Sequence, residues 1–217
     1  MPTNTQQHPL RIALSFGAVH TQLARLLARQ RTEEPETPVV ISEVLLAEQL
    51  AGLESGRYDV GVAVGATTTE RLKTRAIWDD ELAATIPVRS PLLAYPAISL
   101  SVIADYPMMM WHPEACMAMH QSVQALFDAA DVIPQVHALA RSFEFMATLV
   151  AAGFGIGLAP RSWIDAARAS GVVARPLVGQ GTTLTTHLLS LHDPLSGEIH
   201  RFKERALARH LDRSRRL

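Results

Sequence analysis

Leu10-Arg-Ile-Ala-Leu-Ser15 is aliphatic and alternating, Gly17 interrupts it, and Val19, Leu23, Leu26 and Leu27 then recur at helical spacing. This predicts strand, loop and helix. Residues 39–41 form the next extended run, 46–53 have helical spacing with Gly52 and Gly56 near the end, and 58–64 form a continuous apolar strand. A βαβαβ order of this kind puts helices on the faces of a parallel sheet. After a polar break, Gly65-Ala-Thr-Thr-Thr69, residues 72–78 and 82–88 read as two separate extended stretches. A second cycle follows, with strands at 108–111, 136–139, 156–158 and 172–175 and helices at 122–130, 143–152 and 162–169. The extended run 184–191 leads into a helix from 197 to about 211, where Ile199, Phe202, Ala206 and Leu207 share one face.

The pattern therefore predicts an α/β chain in two halves. Extended crossings near 84–88 and 188–191 would join them, giving a first lobe of residues 10–86 and 190–217, a second of 87–189, and a leader at 1–9. Ligands of open α/β sheets bind outside the carboxyl ends of strands, so a cleft between two such halves is the expected pocket.

Composition narrows the function. With 48% hydrophobic and 19% charged residues in 217, the chain has ample core and is not a disordered segment. A formal net charge of -1 lacks the basic excess of a stand-alone DNA binder, so any DNA contact belongs to another module. The single cysteine, Cys116, permits no intrachain disulfide. No secretory signal and no bilayer-spanning run is visible, and a cytoplasmic protein without membrane partners is expected.

Two strings are recognisable as a family signature. Arg57-Tyr-Asp-Val-Gly-Val-Ala-Val64, preceded by Gln49-Leu-Ala-Gly-Leu-Glu-Ser-Gly56, resembles a segment of LysR-type effector domains, and Leu149-Val-Ala-Ala-Gly-Phe-Gly-Ile-Gly-Leu-Ala-Pro160 is similar to another. The resemblance runs from about Leu10 to His210. It implies the type II periplasmic-binding-protein fold, with two Rossmann-like lobes and a small-molecule effector held between them. It also implies a homodimer or tetramer that meets promoter DNA only through an N-terminal helix-turn-helix module that this chain lacks. Relatives pair these domains through helices corresponding to 20–31 and 121–130, whose apolar residues here are Leu23, Leu26, Leu27 and Val123, Leu126, Phe127; core packing explains those residues equally well.

Candidate effector contacts sit at strand ends. Ser15, Phe16 and Gly17 lie between the first strand and first helix, where a hydroxyl and helix N–H groups can meet an anion. A plain turn with Gly17 chosen for backbone freedom is the alternative. Arg141, Ser142 and Phe143 open another helix, with Ser142 as N-cap. The Arg141 guanidinium suits a carboxylate or phosphate, unless it simply faces solvent. Val44 and Leu45 stand where family members that bind small diacids often carry hydroxyls, which implies a larger or partly apolar effector.

The segment from Met108 to His120 holds five of the seven methionines with His112, Cys116 and His120. Soft ligands of this kind raise copper(I) or zinc sensing. Pro113 biases His112 to an extended conformation, and Met108 to Met110 alternate across a strand, so methionines filling core and pocket wall are the favoured reading, with no metal. Trp111 and His112, at that strand's carboxyl end, are ligand-contact candidates. Gly153-x-Gly155-x-Gly157 follows a helix and precedes a strand, the reverse of a phosphate loop, so capping and close packing explain it. The charges of the last helix, Arg201, Lys203, Arg205, Arg209, Arg213, Arg215 and Arg216 among Glu198, Glu204 and Asp212, read as a solvated face.

Effector sensing without catalysis or cofactor is the resulting expectation. An extracytoplasmic solute-binding protein of the same fold is the runner-up. An enzyme such as a dehydratase or deaminase lacks any converging catalytic spacing.

Overall fold

A computed structural model describes residues 8–18, 21–65, 69–179, 183–192 and 197–214, without the side chains of 169 and 209–214. The leader up to residue 7, Val19, residues 66–68 of the polar break and the arginine side chains from Arg209 onward lie outside it. The elements in chain order are β1 (Leu10–Ser15), α1 (Thr21–Glu33), β2 (Val39–Val44), α2 (Leu46–Glu54), β3 (Val60–Val64) and β4 (Leu72–Pro87). Next come α3 (Leu100–Ala104), β5 (Pro107–Trp111), α4 (Met117–Ala129), β6 (Gln135–Ala140), α5 (Phe143–Ala151) and β7 (Ile156–Pro160). The chain closes with α6 (Arg161–Ala166), β8 (Val172–Pro176), β9 (Thr183–Leu191) and α7 (Gly197–Ser214). Two compact units result, Met1–Trp78 with Thr185–Leu217, and Asp79–Leu184.

In unit 1, β1 lies parallel to β2 from Leu10↔Val39 to Ser15↔Val44 and parallel to β3, while β3 runs antiparallel to β9. Leu23 and Leu26 of α1 and Phe202 and Ala206 of α7 pack on Leu10, Ile12, Val60 and Val62 of the sheet. Each leucine, isoleucine, valine or phenylalanine among them contributes about 1.5–3 kcal/mol of burial. Part of the family-like string is explained here: Gln49, fully buried, donates its amide N–H to the carbonyls of Ala13 (2.7 Å) and Val62 (3.0 Å), tying α2 to β1 and β3. Gly61 lets α2 pack closely, since a Cβ there would stand 2.9 Å from Leu53 Cδ1 and 3.1 Å from the Gln49 amide and would push those side chains aside.

In unit 2, β5 lies parallel to β6 and β7, and β4 runs antiparallel to β7 and β8. Its core holds Ile103, Met108, Met109, Met110, Trp111, Met119, Val123 and Phe127, all buried. The three consecutive methionines, expected to alternate between faces, are covered on both, as suits the central strand of an α/β sheet.

Four expectations need correction. Residues 72–87 form one strand where two stretches were expected, because the charged centre stays extended: the Asp80 carboxylate accepts the Ser162 N–H (3.4 Å) and hydroxyl (2.5 Å). Helix α4 starts a turn before Ser122, at Met117. The helix expected at 162–169 stops at Ala166 and continues as a 3-10 turn, Arg168–Ser170, closed by Gly171 at φ 85°. Helix α3 and a 3-10 turn at Pro91–Ala94 were not foreseen; each is too short to show periodicity, and each is capped by a serine, Ser99 and Ser90. The helix faces suggested for a partner copy are largely committed to the chain's own core, since Leu23, Leu26, Val123 and Phe127 are buried.

Candidate functional site

The carboxyl ends of β5 and β6 bring together one set of candidates in unit 2. Trp111 pairs with Ala140 across the parallel ladder, and the His112 N–H donates to the Ala140 carbonyl at 2.8 Å. The sheet thereby puts His112 beside Arg141, 29 residues away, with Arg141 Nη2 3.1 Å from His112 Nε2. On the other side of the ring, the backbone N–H groups of Glu114 and Ala115 approach Nδ1 at 3.3 and 3.4 Å. Ser142 caps α5, its hydroxyl oxygen accepting the Phe145 N–H at 3.2 Å, as its place before an apolar helical run predicts.

Trp111 lies beneath this set. It is 1% exposed, and its indole N–H donates to the Leu158 carbonyl at 2.7 Å, so it supports the site from the core. Phe143 is nearly as buried. Trp163, absent from the sequence-derived candidates, joins them: its ring meets Trp111 edge-on at 6.0 Å and Phe143 at 5.8 Å. The available sequence signal was a lone tryptophan opening a helix directly after a strand end, the same position type as Phe143.

The soft-ligand segment is occupied by structural bonds. The Cys116 thiol donates to the Arg141 carbonyl at 3.4 Å, and His120 Nδ1 lies 2.8 Å from the Trp111 carbonyl. Among the described residues no three His, Cys, Asp or Glu side chains gather as a metal site.

In unit 1 the ladder places Ser15 opposite Val44 at the carboxyl ends of β1 and β2. Gly17 sits at φ 93°, which only glycine adopts freely, in a turn closed by the Ala18 N–H on the Ser15 carbonyl at 3.0 Å. Ser15 is buried, Phe16 and Val44 are half-buried, and Leu45 is exposed as the N-cap of α2, where no side chain caps the first turn. Ser15, Gly17, Val44 and Leu45 thus share one strand-end edge of unit 1, and His112, Arg141 and Ser142 one of unit 2.

Glu34 is the most perturbed acid of unit 1. Its buried carboxylate accepts from Arg201 and Arg205 of α7, which holds it well below its ordinary value, at about 2. Glu33 is lowered by Arg29 and Arg205, while Lys203 is lowered by burial and by Lys73 and Arg75 nearby.

Similar proteins place this architecture. An "Uncharacterized HTH-type transcriptional regulator YnfL" of Escherichia coli (strain K12) is 25% identical over 155 residues, 71% of this chain and 52% of its own length. A "Probable cat1 operon transcriptional activator" of Acinetobacter lwoffii is 24% identical, over 72% of this chain and 52% of its own. The chain thus spans about half the length of these curated relatives. Among solved structures, a full-length BenM mutant superposes with a TM-score of 0.86 at 18% identity, over 96% of this chain and 69% of that one. The effector binding domain of QuiR in complex with shikimate gives 0.84 at 15%, over 95% and 98%. The BenM effector binding domain with its effector benzoate gives 0.83 at 18%, over 95% and 93%. The fold is α/β of the type II periplasmic-binding-protein kind. The LysR substrate binding domain family matches residues 3–210, nearly the whole length, and the chain belongs to it.

Proposed function

We propose that this chain senses a small-molecule effector on behalf of a transcriptional regulator, and that it takes an acidic ligand at the carboxyl ends of β5 and β6. The observation that carries this reading is an excess of donors around His112. Arg141 approaches one ring nitrogen and two backbone N–H groups the other. A neutral imidazole accepts at only one nitrogen and a protonated ring at neither, so one set of donors always faces an N–H. A carboxylate, which only accepts and has two oxygens, satisfies the surplus together with the first turn of α5. Benzoate and shikimate, the ligands named for BenM and QuiR, are carboxylates.

Ser15, Phe16, Gly17, Val44 and Leu45 form the second candidate set, in unit 1, offering backbone N–H groups beside apolar surface. Buried Trp111 and Phe143 act by holding His112 and Arg141 in place. The chain works by binding and release, without catalysis, in the cytoplasm. Promoter DNA is met by a different module in a homodimer or tetramer, in keeping with this chain's net charge of -1. The curated relatives' names as transcriptional regulators favour this over solute capture for transport.

Screening carboxylic acids against their carboxamide isosteres by thermal shift and calorimetry tests the reading. Acids are expected to bind and to raise the melting temperature by mass action, and amides are not. Arg141→Ala is expected to raise Kd about 10- to 100-fold, with Arg141→Lys recovering only part. Unchanged affinity in Arg141→Ala, or equal binding of acid and amide, would refute it. Ser15→Ala reads the unit 1 set separately.

A further inference from the structure

Of the chain's 20 lysine and arginine residues only two are lysines, Lys73 and Lys203, and the fold brings both to one place in unit 1. Lys203 is half-buried on α7, and its Nζ donates to the Ser190 hydroxyl oxygen of β9 at 2.7 Å. Lys73 and Arg75 stand two residues apart on the neighbouring strand β4, so they share one face of it, and their charges act on the Lys203 amine. Both are exposed, and neither is paired with a carboxylate among the described residues.

A lysine in this setting is a nucleophile more than an ion-pair partner. Burial, then the like charges of Lys73 and Arg75, push its amine below the ordinary lysine value, with Glu204 opposing them. An arginine, fixed in its charge, could not serve here. The Ser190 hydroxyl donates its own proton to the Leu191 carbonyl at 3.3 Å, so towards Lys203 it only accepts, and the lone pair of the neutral amine stays free. Ser190 itself is 1% exposed, out of reach of a reactant.

We propose that Lys203 is an acylation site of this chain, taking its acyl group from an acyl phosphate whose phosphate rests on Lys73 and Arg75. The amine nitrogen attacks the acyl carbon, and a C–N bond forms as the bond from that carbon to the phosphate oxygen breaks. The electron pair leaves with the phosphate, which also takes up the proton that the amine gives off. The product amide keeps an N–H for Ser190 but removes one of three like charges, so modification relieves repulsion between α7 and β4 without costing the bond to β9. The site is separate from the Arg141 reading and does not depend on it.

Acetyl phosphate is the reagent, applied to the whole chain near neutral pH, with peptide mass spectrometry following the two lysines separately. Lys203 is expected to be acetylated at least about fivefold faster than Lys73, although Lys73 is the more exposed of the two. Arg75→Gln, a change at an exposed side chain, is expected to slow the Lys203 reaction at least about threefold with an unchanged melting temperature. The N-hydroxysuccinimide ester of acetic acid, which has no phosphate to hold, separates recruitment from reactivity, and Arg75→Gln is expected to slow it less. Acetylation of Lys73 as fast as Lys203 overturns the proposal. So does an Arg75→Gln variant that leaves the acetyl phosphate rate unchanged or slows both reagents equally. The Arg141→Ala variant keeps the Lys203 reaction, so failure of either reading is seen without the other.

Discussion

Gly155→Ala is expected to destroy unit 2, with a loss of about 4 kcal/mol or more, among the largest effects a single methyl group can produce. A Cβ at this position would stand 2.0 Å from the Pro107 carbonyl oxygen and 2.8 Å from its carbon, both of them backbone, with Met109 Cε at 3.0 Å. Pro107 begins β5, and Met108 is paired with Ile156, the residue after the glycine, so separating the two backbones breaks the β5–β7 ladder. The residue's φ of 154° adds strain for any side chain. Gly153→Ala is the control: its φ is 83°, but nothing lies within 4 Å of the added atom, and a loss of about 1 kcal/mol is expected. Urea unfolding of the two variants side by side checks the ranking, and equal stabilities would show the close approach to be wrong.

Acid is expected to weaken unit 1 through Glu34. A carboxylate lowered from 4.5 to about 2 contributes stability that is fully present above its unfolded value and is lost as pH falls from about 5 towards 2. The full shift corresponds to about 3 kcal/mol; screening around the half-exposed Arg201 leaves roughly 2 kcal/mol. Glu34→Gln should begin less stable at pH 7 and lose this component of the acid response, while keeping the side chain's length against Thr37 and Gln30. Melting temperatures of both proteins from pH 7 to pH 3 measure it. Parallel curves would show that Glu34 is not the linked group.

The chain's hydrophobic periodicity was enough to place most elements, because buried strands such as β3 and amphipathic helices such as α1 write their period directly into the residue order. It failed where long-range bonds decide. Asp79, Asp80 and Glu81 look like a break, and the Asp80 carboxylate's bonds to Ser162, 82 residues later, help to keep β4 whole. The candidate site was legible one strand end at a time: Ser142 as a cap and Gly17 as a positive-φ turn follow from local chemistry. The Arg141–His112 contact follows only from the β5–β6 register. Trp163 was missed for the same reason, since it meets Trp111 and Phe143 from a different element without any spacing to announce it.

Unit 2 is an insertion within unit 1, and that has a consequence on the ribosome. Strand β9 and helix α7, which complete the unit 1 sheet beside β3 and cover it beside α1, are made only after about a hundred intervening residues, a delay on the order of ten seconds at about 5–20 residues per second. During that interval the first half of unit 1 has emerged with its β3 edge and the apolar face of α1 uncovered, while unit 2, contiguous in sequence, already holds everything it needs to fold. Synthesis thus favours the inserted unit maturing first and makes the early strands the segment most in need of chaperone protection.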